Sequence, residues 1–226
     1  MEILFLGTGA ADWDITSPER PEGFRRYSAA LVNEDLLIDP GPCVFEAADT
    51  FGVDVSKIKY IINTHPHRDH YNQETVDKLC AGGAEFFEMT EGEQKQIGKY
   101  SITALQASHG TTLTAVHFLI SDGKSTLLYA LDGAWLTYKE ISVIRQTHID
   151  LAVLDATIGD IKGDYRIFEH NNLVMVEEIK ASLEKYIDRF IISHMARTLH
   201  TDHKTLVDRM AQSGIEVAYD GFKTGV

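Results

Sequence analysis

The stretch Thr64-His65-Pro66-His67-Arg68-Asp69-His70 puts three histidines and an aspartate within six positions, directly behind the apolar run Ile58-Lys59-Tyr60-Ile61-Ile62. A short apolar run that ends in metal-capable side chains reads as a buried strand delivering ligands at its C-terminal mouth. Side chains alternate along an extended segment, so His65 and His67 share one side. Asp69 and His70 fall on the turn beyond and can face a second ion. The alternative is a polar loop that merely happens to be rich in histidine, and both the spacing and the preceding strand argue against it.

Four further positions repeat the pattern of a polar residue closing an apolar strand. His109 follows Ile102 to Ser108 and precedes Gly110. Asp132 follows Leu127 to Leu131 and precedes Gly133. His194 closes Phe190 to Ser193, and Asp39 closes Leu36 to Ile38. A single histidine at a strand end is more often a hydrogen-bonded structural residue. Strands that share a sheet bring their mouths together, so four such positions plus the cluster point to one site. Imidazole and carboxylate without thiolate favour Zn²⁺, Mn²⁺ or Fe²⁺ over soft-metal sites.

The 226 residues are enough for one α/β domain spanning 1–226, and a hydrophobic fraction of 44% allows a sizeable core. The spacing predicts strands at 2–6, 28–32, 36–38, 58–62, 86–87, 100–107, 115–120, 126–131, 151–154, 190–193 and 217–219. Helices are expected at 43–51, from about 72 to Gly82-Gly83, at 138–147, 172–186 and 206–210. Gly52 stops the first helix, Asn72 or a neighbour caps the second, and Ser121-Asp122-Gly123-Lys124 makes a hairpin turn. Two mixed β-sheets with helices outside both would bury these runs.

The formal charge of −13 disfavours duplex nucleic acid, although a metal and a few arginines can reverse the sign locally. Met1 leads straight into Ile3-Leu4-Phe5-Leu6 without a basic leader, and no run approaches the roughly eighteen apolar residues of a membrane span. A cytoplasmic chain with no membrane partner is the expectation. Cys43 and Cys80 have no zinc or redox spacing and are expected to be reduced and buried. Arg25, Arg26, Arg166 and Arg197 are expected as solvated loop charges, and His200 and His203 as surface groups. His117 and His148 are expected to be structural. Arg68 either holds a phosphate or points to solvent.

With these motifs in order, the chain resembles the metallo-β-lactamase superfamily of dinuclear metallohydrolases. Its His-x-His-x-Asp-His signature is matched by His65, His67, Asp69 and His70, and its later motifs by His109, Asp132 and His194. Phe5-Leu6-Gly7-Thr8-Gly9 and Leu37-Ile38-Asp39-Pro40-Gly41 also match, so the resemblance covers nearly the whole chain. It implies a four-layer αβ/βα sandwich with two divalent ions, Zn²⁺ or Mn²⁺, or alternatively Fe²⁺. His65, His67 and His109 would hold one ion, Asp69, His70 and His194 the other, and Asp132 would bridge them. The zinc β-lactamases with a cysteine at the second site are a poor match.

Gly7-Thr8-Gly9 and Arg26-Tyr27-Ser28-Ala29-Ala30-Leu31 resemble the phosphodiesterase branch, which holds the phosphoribosyl cyclic phosphodiesterases and the tRNA 3′-endonucleases. His170-Asn171-Asn172 resembles that branch's extra histidine motif, in which the histidine acts on the scissile phosphate. Otherwise His170 caps the helix that follows. Asp69 and His170 are therefore the residues expected to take part in the reaction. The substrate-gripping arm of the tRNA enzymes and the cysteine-bearing zinc insertion near residues 12–25 are missing, and Tyr71-Asn72 stand where glycine is common. The expected function is hydrolysis of a small phosphodiester, a cyclic one included, by a hydroxide bridging the ions. The partners would be a small phosphorylated substrate and, as one option, a second copy of the chain. The alternatives are a lactone or thioester hydrolase, or a metal-binding scaffold without catalysis.

Overall fold

The computed structural model describes residues 1–110 and 114–226. The chain builds one sheet, crosses to a second, and returns to the first with its last strand. Five strands come first: β1 (Glu2–Gly7), β2 (Ala29–Val32), β3 (Leu36–Ile38), β4 (Tyr60–Ile62) and β5 (Glu85–Phe87). Helices α1 (Val44–Phe51) and α2 (Gln73–Ala81) connect β3 to β4 and β4 to β5. The second sheet runs from β6 (Gln94–Ile97) and β7 (Tyr100–Gln106) to β8 (Val116–Ser121) and β9 (Thr126–Ala130). It ends with β10 (Ile149–Asp155), β11 (Ile187–Ser193) and β12 (Glu216–Val217), with α3 (Tyr138–Ile144), α4 (Leu173–Leu183) and α5 (His203–Ala211) between them. Finally β13 (Lys223–Gly225) pairs with β1, giving the orders β13-β1-β2-β3-β4-β5 and β12-β11-β10-β9-β8-β7-β6.

Alternation along the strands decides the layering. In β3, Leu36 and Ile38 enter the core between the sheets, with Ile62, Phe118, Tyr129 and Val153, whereas Leu37 faces outward against Val44, Ala47 and Leu79. In β10, Leu151 and Val153 face inward, whereas Ala152 and Leu154 pack with Val176, Ile179 and Leu206 beneath the helices. Both faces of the central strands are therefore apolar, which is why they read as unbroken hydrophobic runs. The result is the expected four layers: helices, sheet, sheet, helices. Among the described residues, no helix is long and apolar enough to cross a membrane.

Local signals set the helix ends. Gly52 closes α1 with φ of 67°, Asn72 accepts from the Thr75 N–H to start α2, and Thr137 with Glu140 forms a capping box on α3. Two strands are absent from the sequence reading: β6 is a polar edge strand and β13 a three-residue edge strand, and neither carries an apolar pattern.

Candidate metal centre

Strand direction brings the predicted ligands together. In the first sheet β3 and β4 are parallel neighbours, so Asp39 and the His65–His70 turn leave the same edge. In the second, β9, β10 and β11 are parallel, and β7 runs the same way because β8 is antiparallel to both β7 and β9. The C-terminal ends of these strands therefore emerge side by side, carrying His109, Asp132, Asp155 and His194. Asp39, Asp132 and His194 hold positive φ values of 61°, 56° and 62°. Non-glycine residues pay for that conformation, and it turns each side chain sharply off its strand into the site. Gly41 lets the two ligand-bearing backbones meet, since a Cβ there would stand 2.7 Å from the Asp69 carbonyl oxygen.

Two groups of donors result. In the first, His65 Nε2 and His109 Nε2 lie 2.9 and 3.2 Å from His67 Nδ1. In the second, His70 Nε2 and His194 Nε2 are 3.1 Å apart, and each lies 3.4 Å from Asp69 Oδ2. Asp132 stands between the groups: its Oδ2 is 2.6 Å from His70 Nε2 and 3.2 Å from His194 Nε2, and its Oδ1 is 3.8 Å from His109 Nε2.

The far nitrogen of four of these rings is engaged elsewhere, which fixes the tautomers. Thr64 Oγ1 donates to Asp39 Oδ1 (2.8 Å) and so accepts from His65 Nδ1 (3.0 Å). His70 Nδ1 donates to Asp39 Oδ2 (2.9 Å), and His109 Nδ1 to the Glu169 carbonyl (3.2 Å). Thr157 Oγ1 donates to Asp155 Oδ2 (2.9 Å) and accepts from His194 Nδ1 (2.8 Å). With Nδ1–H turned outward, the inward Nε2 atoms present lone pairs to one another and to Asp132 Oδ2. That oxygen is buried and without a hydrogen-bond partner among the described residues. Buried lone pairs crowded at such distances call for a cation, and the donor set of five imidazoles and two carboxylates suits Zn²⁺, Mn²⁺ or Fe²⁺.

The electrostatics agree. Burial, reinforced by the neighbouring His70, pushes His65 down to about 2, leaving it a neutral lone-pair donor. Burial opposes charge on His70 too, but Asp132, Asp69 and Asp39 outweigh it and raise its proton affinity. Asp132 and Asp155 likewise raise His194, against burial, to about 10. A divalent ion would take the place of those protons.

Asp155 was not singled out by the sequence reading. It is fully buried, and its Oδ1 accepts from the N–H groups of Asn171 (2.9 Å) and Thr157 (3.1 Å). Its Oδ2 lies 3.0 Å from His170 Nδ1 and 3.3 Å from His194 Nδ1. The same signal was available as for Asp132, namely a carboxylate closing an apolar strand. His170 does not cap α4: Asn172 does, through a bond from the Met175 N–H. Its ring lies 4.9 Å from that of His109 and 5.6 Å from that of His194. Burial disfavours its charged form, but Asp155 more than offsets this and raises its proton affinity.

Other expectations need correction. Arg25 is buried rather than solvated: it donates to Thr8 Oγ1 (2.6 Å) and the Ala218 carbonyl (2.9 Å), and burial lowers it to about 10. Cys80 is exposed, on the outward side of α2, whereas Cys43 is buried as expected. His200 is largely buried and donates to the Ala156 carbonyl (2.6 Å), and His148 is exposed beside Asp188 (3.2 Å). Arg68 is exposed. His117 is structural as expected, bonded through Nδ1 to Glu140 Oε1 at 2.5 Å.

Comparison with known proteins gives the following. The family model described as "Metallo-beta-lactamase superfamily" matches residues 25–72, which include Asp39 and the His65–His70 turn. Among solved structures, the metallo-β-lactamase fold protein YhfI from Bacillus subtilis superposes with a TM-score of 0.76 at 16% identity, covering 99% of this chain and 98% of that one. A diphosphatase of the PhnP family superposes with a TM-score of 0.74 at 18% identity, covering 100% and 97%. A putative cytochrome P450, CYP13A6 of Caenorhabditis elegans, is 36% identical over 90 residues, a match that spans 38% of this chain and only 17% of that protein's length.

Proposed function

We propose that this protein, which has the metallo-β-lactamase fold, is a dinuclear metal-dependent hydrolase acting on a small phosphodiester. The observation that carries the reading is Asp132, whose two carboxylate oxygens reach toward two separate groups of imidazoles. His65, His67 and His109 would hold one divalent ion, Asp69, His70 and His194 the other, with Asp132 shared. When bound, such a pair lowers the pKa of water toward neutrality and neutralises charge on a phosphoryl oxygen.

The chain's own residues supply the rest. Asp39, Thr64, Thr157 and Asp155 hold the ligand rings so that their lone pairs converge before any ion arrives. Asp69, whose carboxylate charge is favoured by His70 and His194 against the cost of burial, keeps the second group anionic. His170 has its Nδ1–H directed at Asp155, leaving Nε2 to hand a proton to a departing alkoxide. Proton donation to a leaving alkoxide is what a phosphodiester requires, and a protein titled a diphosphatase of the PhnP family shares the fold.

A second reading keeps the hydrolase and changes the bond to a lactone or thioester. Protein loaded with Zn²⁺ or Mn²⁺ should hydrolyse bis-p-nitrophenyl phosphate and leave a panel of lactones and thioesters untouched. Turnover of the lactones or thioesters alone would sink the phosphodiester reading. The charge of −13 makes a small substrate a better fit than a polynucleotide.

A further inference from the structure

Large exposed apolar side chains gather in two short stretches, one following Asp132 into the start of α3 and one leading up to His170. Five of the eight found among the described residues lie in two short stretches: Trp135 and Tyr138 in one, Ile161, Tyr165 and Phe168 in the other. Tyr138 (80%), Tyr165 (79%) and Phe168 (80%) are almost entirely in water. Single exposed hydrophobic residues are ordinary, but a concentration of aromatic ones marks a recognition surface.

The two loops are fastened to the wall of the site. In the first, two residues after Asp132, the Ala134 N–H donates to the carbonyl of Ser108 (3.1 Å), the residue before His109. The Trp135 N–H donates to Asn171 Oδ1 (2.7 Å), the residue after His170. Trp135 itself sits at φ of 60°, a conformation that bulky residues rarely adopt, so these bonds hold its ring outward at a cost in strain. In the second loop the 3₁₀ turn Tyr165–Phe168 ends with both Glu169 and His170 N–H groups donating to the Arg166 carbonyl (2.8 Å each). Glu169 in turn accepts from His109 Nδ1 (3.2 Å). Backbone bonds thus tie each aromatic loop to a residue of the donor groups or to its neighbour.

We propose that these loops form a clamp for an aromatic group on the substrate. The diester would then carry an aryl or similarly flat apolar alcohol, stacked between Trp135 and Phe168 while its phosphoryl group lies over the donor groups. This rests on the reading of the centre as a phosphodiester hydrolase. Aromatic faces reward flat ligands through area burial and offset stacking, and rigid aromatic side chains lose little entropy when they bind.

The test uses the full chain loaded with Zn²⁺ and two probes that lack any P–O–C bond to cleave, diphenylphosphinate and dimethylphosphinate, with binding read by calorimetry. The clamp predicts that wild type binds the phenyl probe at least tenfold more tightly than the methyl probe. It also predicts that Trp135→Ala with Phe168→Ala brings the two affinities within about twofold, at unchanged metal content. Equal binding of the two probes by wild type overturns the proposal. So does a concentration-dependent doubling of mass that Phe168→Asp abolishes, since the surface would then serve a second copy of the chain. A preference for the phenyl probe without turnover of any diester would reject the hydrolase and keep the clamp, whereas turnover without the preference would reject the clamp alone.

Discussion

Replacing Asp155 by asparagine isolates the positioning of His170 and His194 from metal ligation. Asparagine can keep its oxygen where Oδ1 accepts from Asn171 and Thr157, so the loop stays tethered. Its amide nitrogen then faces the groups that Oδ2 served: His170 Nδ1 at 3.0 Å, His194 Nδ1 at 3.3 Å and the Asp132 N–H at 3.3 Å. Losing the charge-assisted bond to His170 costs about 1.5–3 kcal/mol, and leaving a buried N–H without an acceptor costs about 1–3 kcal/mol. A neutral amide is cheaper to bury than a carboxylate, which offsets part of the sum. The metal-free variant should therefore be less stable by about 2–4 kcal/mol in urea denaturation. Thr157 is left with the His194 carbonyl (3.0 Å) as the acceptor for its hydroxyl proton, and His194 Nδ1 loses the carboxylate oxygen 3.3 Å away, so the ring is held less firmly for ligation. Affinity for the second ion, measured by competition with a chromophoric chelator, should fall about 10–100-fold. His170 loses the charge that holds its proton, so the fall in kcat/KM with rising pH should begin at a lower pH. Unchanged metal affinity together with an unchanged pH profile would refute the positioning role.

Two further substitutions probe the frame. Gly41→Ala places a methyl group 2.7 Å from the Asp69 carbonyl, so the ligand turn must shift; the expected result is a loss of about 1–3 kcal/mol and a weaker second ion, read by thermal melting and metal content. His117 is buried against Glu140, whose charge outweighs burial and raises its proton affinity. The pair therefore stabilises the fold fully below the ordinary imidazole pKa of about 6.5, and this contribution is lost as pH rises through the raised folded value. His117→Gln should cost about 3–5 kcal/mol in metal-free protein at pH 6 and clearly less at pH 9, by urea midpoints. An equal cost at both pH values would contradict the pairing.

The two groups of converging donors were legible because the signals are local. His65 and His67 lie two apart on an extended segment, and His109, Asp132 and His194 each end an apolar strand. Asp155 ends such a strand as well, but Ala156 rather than glycine follows it and no motif advertised it. The burial of Arg25 could not be read locally, because its partners Thr8, Ala218 and His203 are distant along the chain. Cys80 misled because Thr75, Val76 and Leu79 face the core from the same helix, and one more residue turns the chain to solvent. The bonds that join the aromatic loops to Ser108 and Asn171 depend on how separate strand ends meet, which no sequence pattern records.

The central claim is that two ions, held in two groups sharing Asp132, hydrolyse a phosphodiester. Stepwise addition of Zn²⁺ or Mn²⁺ to metal-free protein, with bis-p-nitrophenyl phosphate turnover followed at each step, tests it most directly. The account predicts little turnover up to one equivalent and a steep rise toward a plateau at two. Full activity at one equivalent, or no turnover with two ions bound, would contradict it.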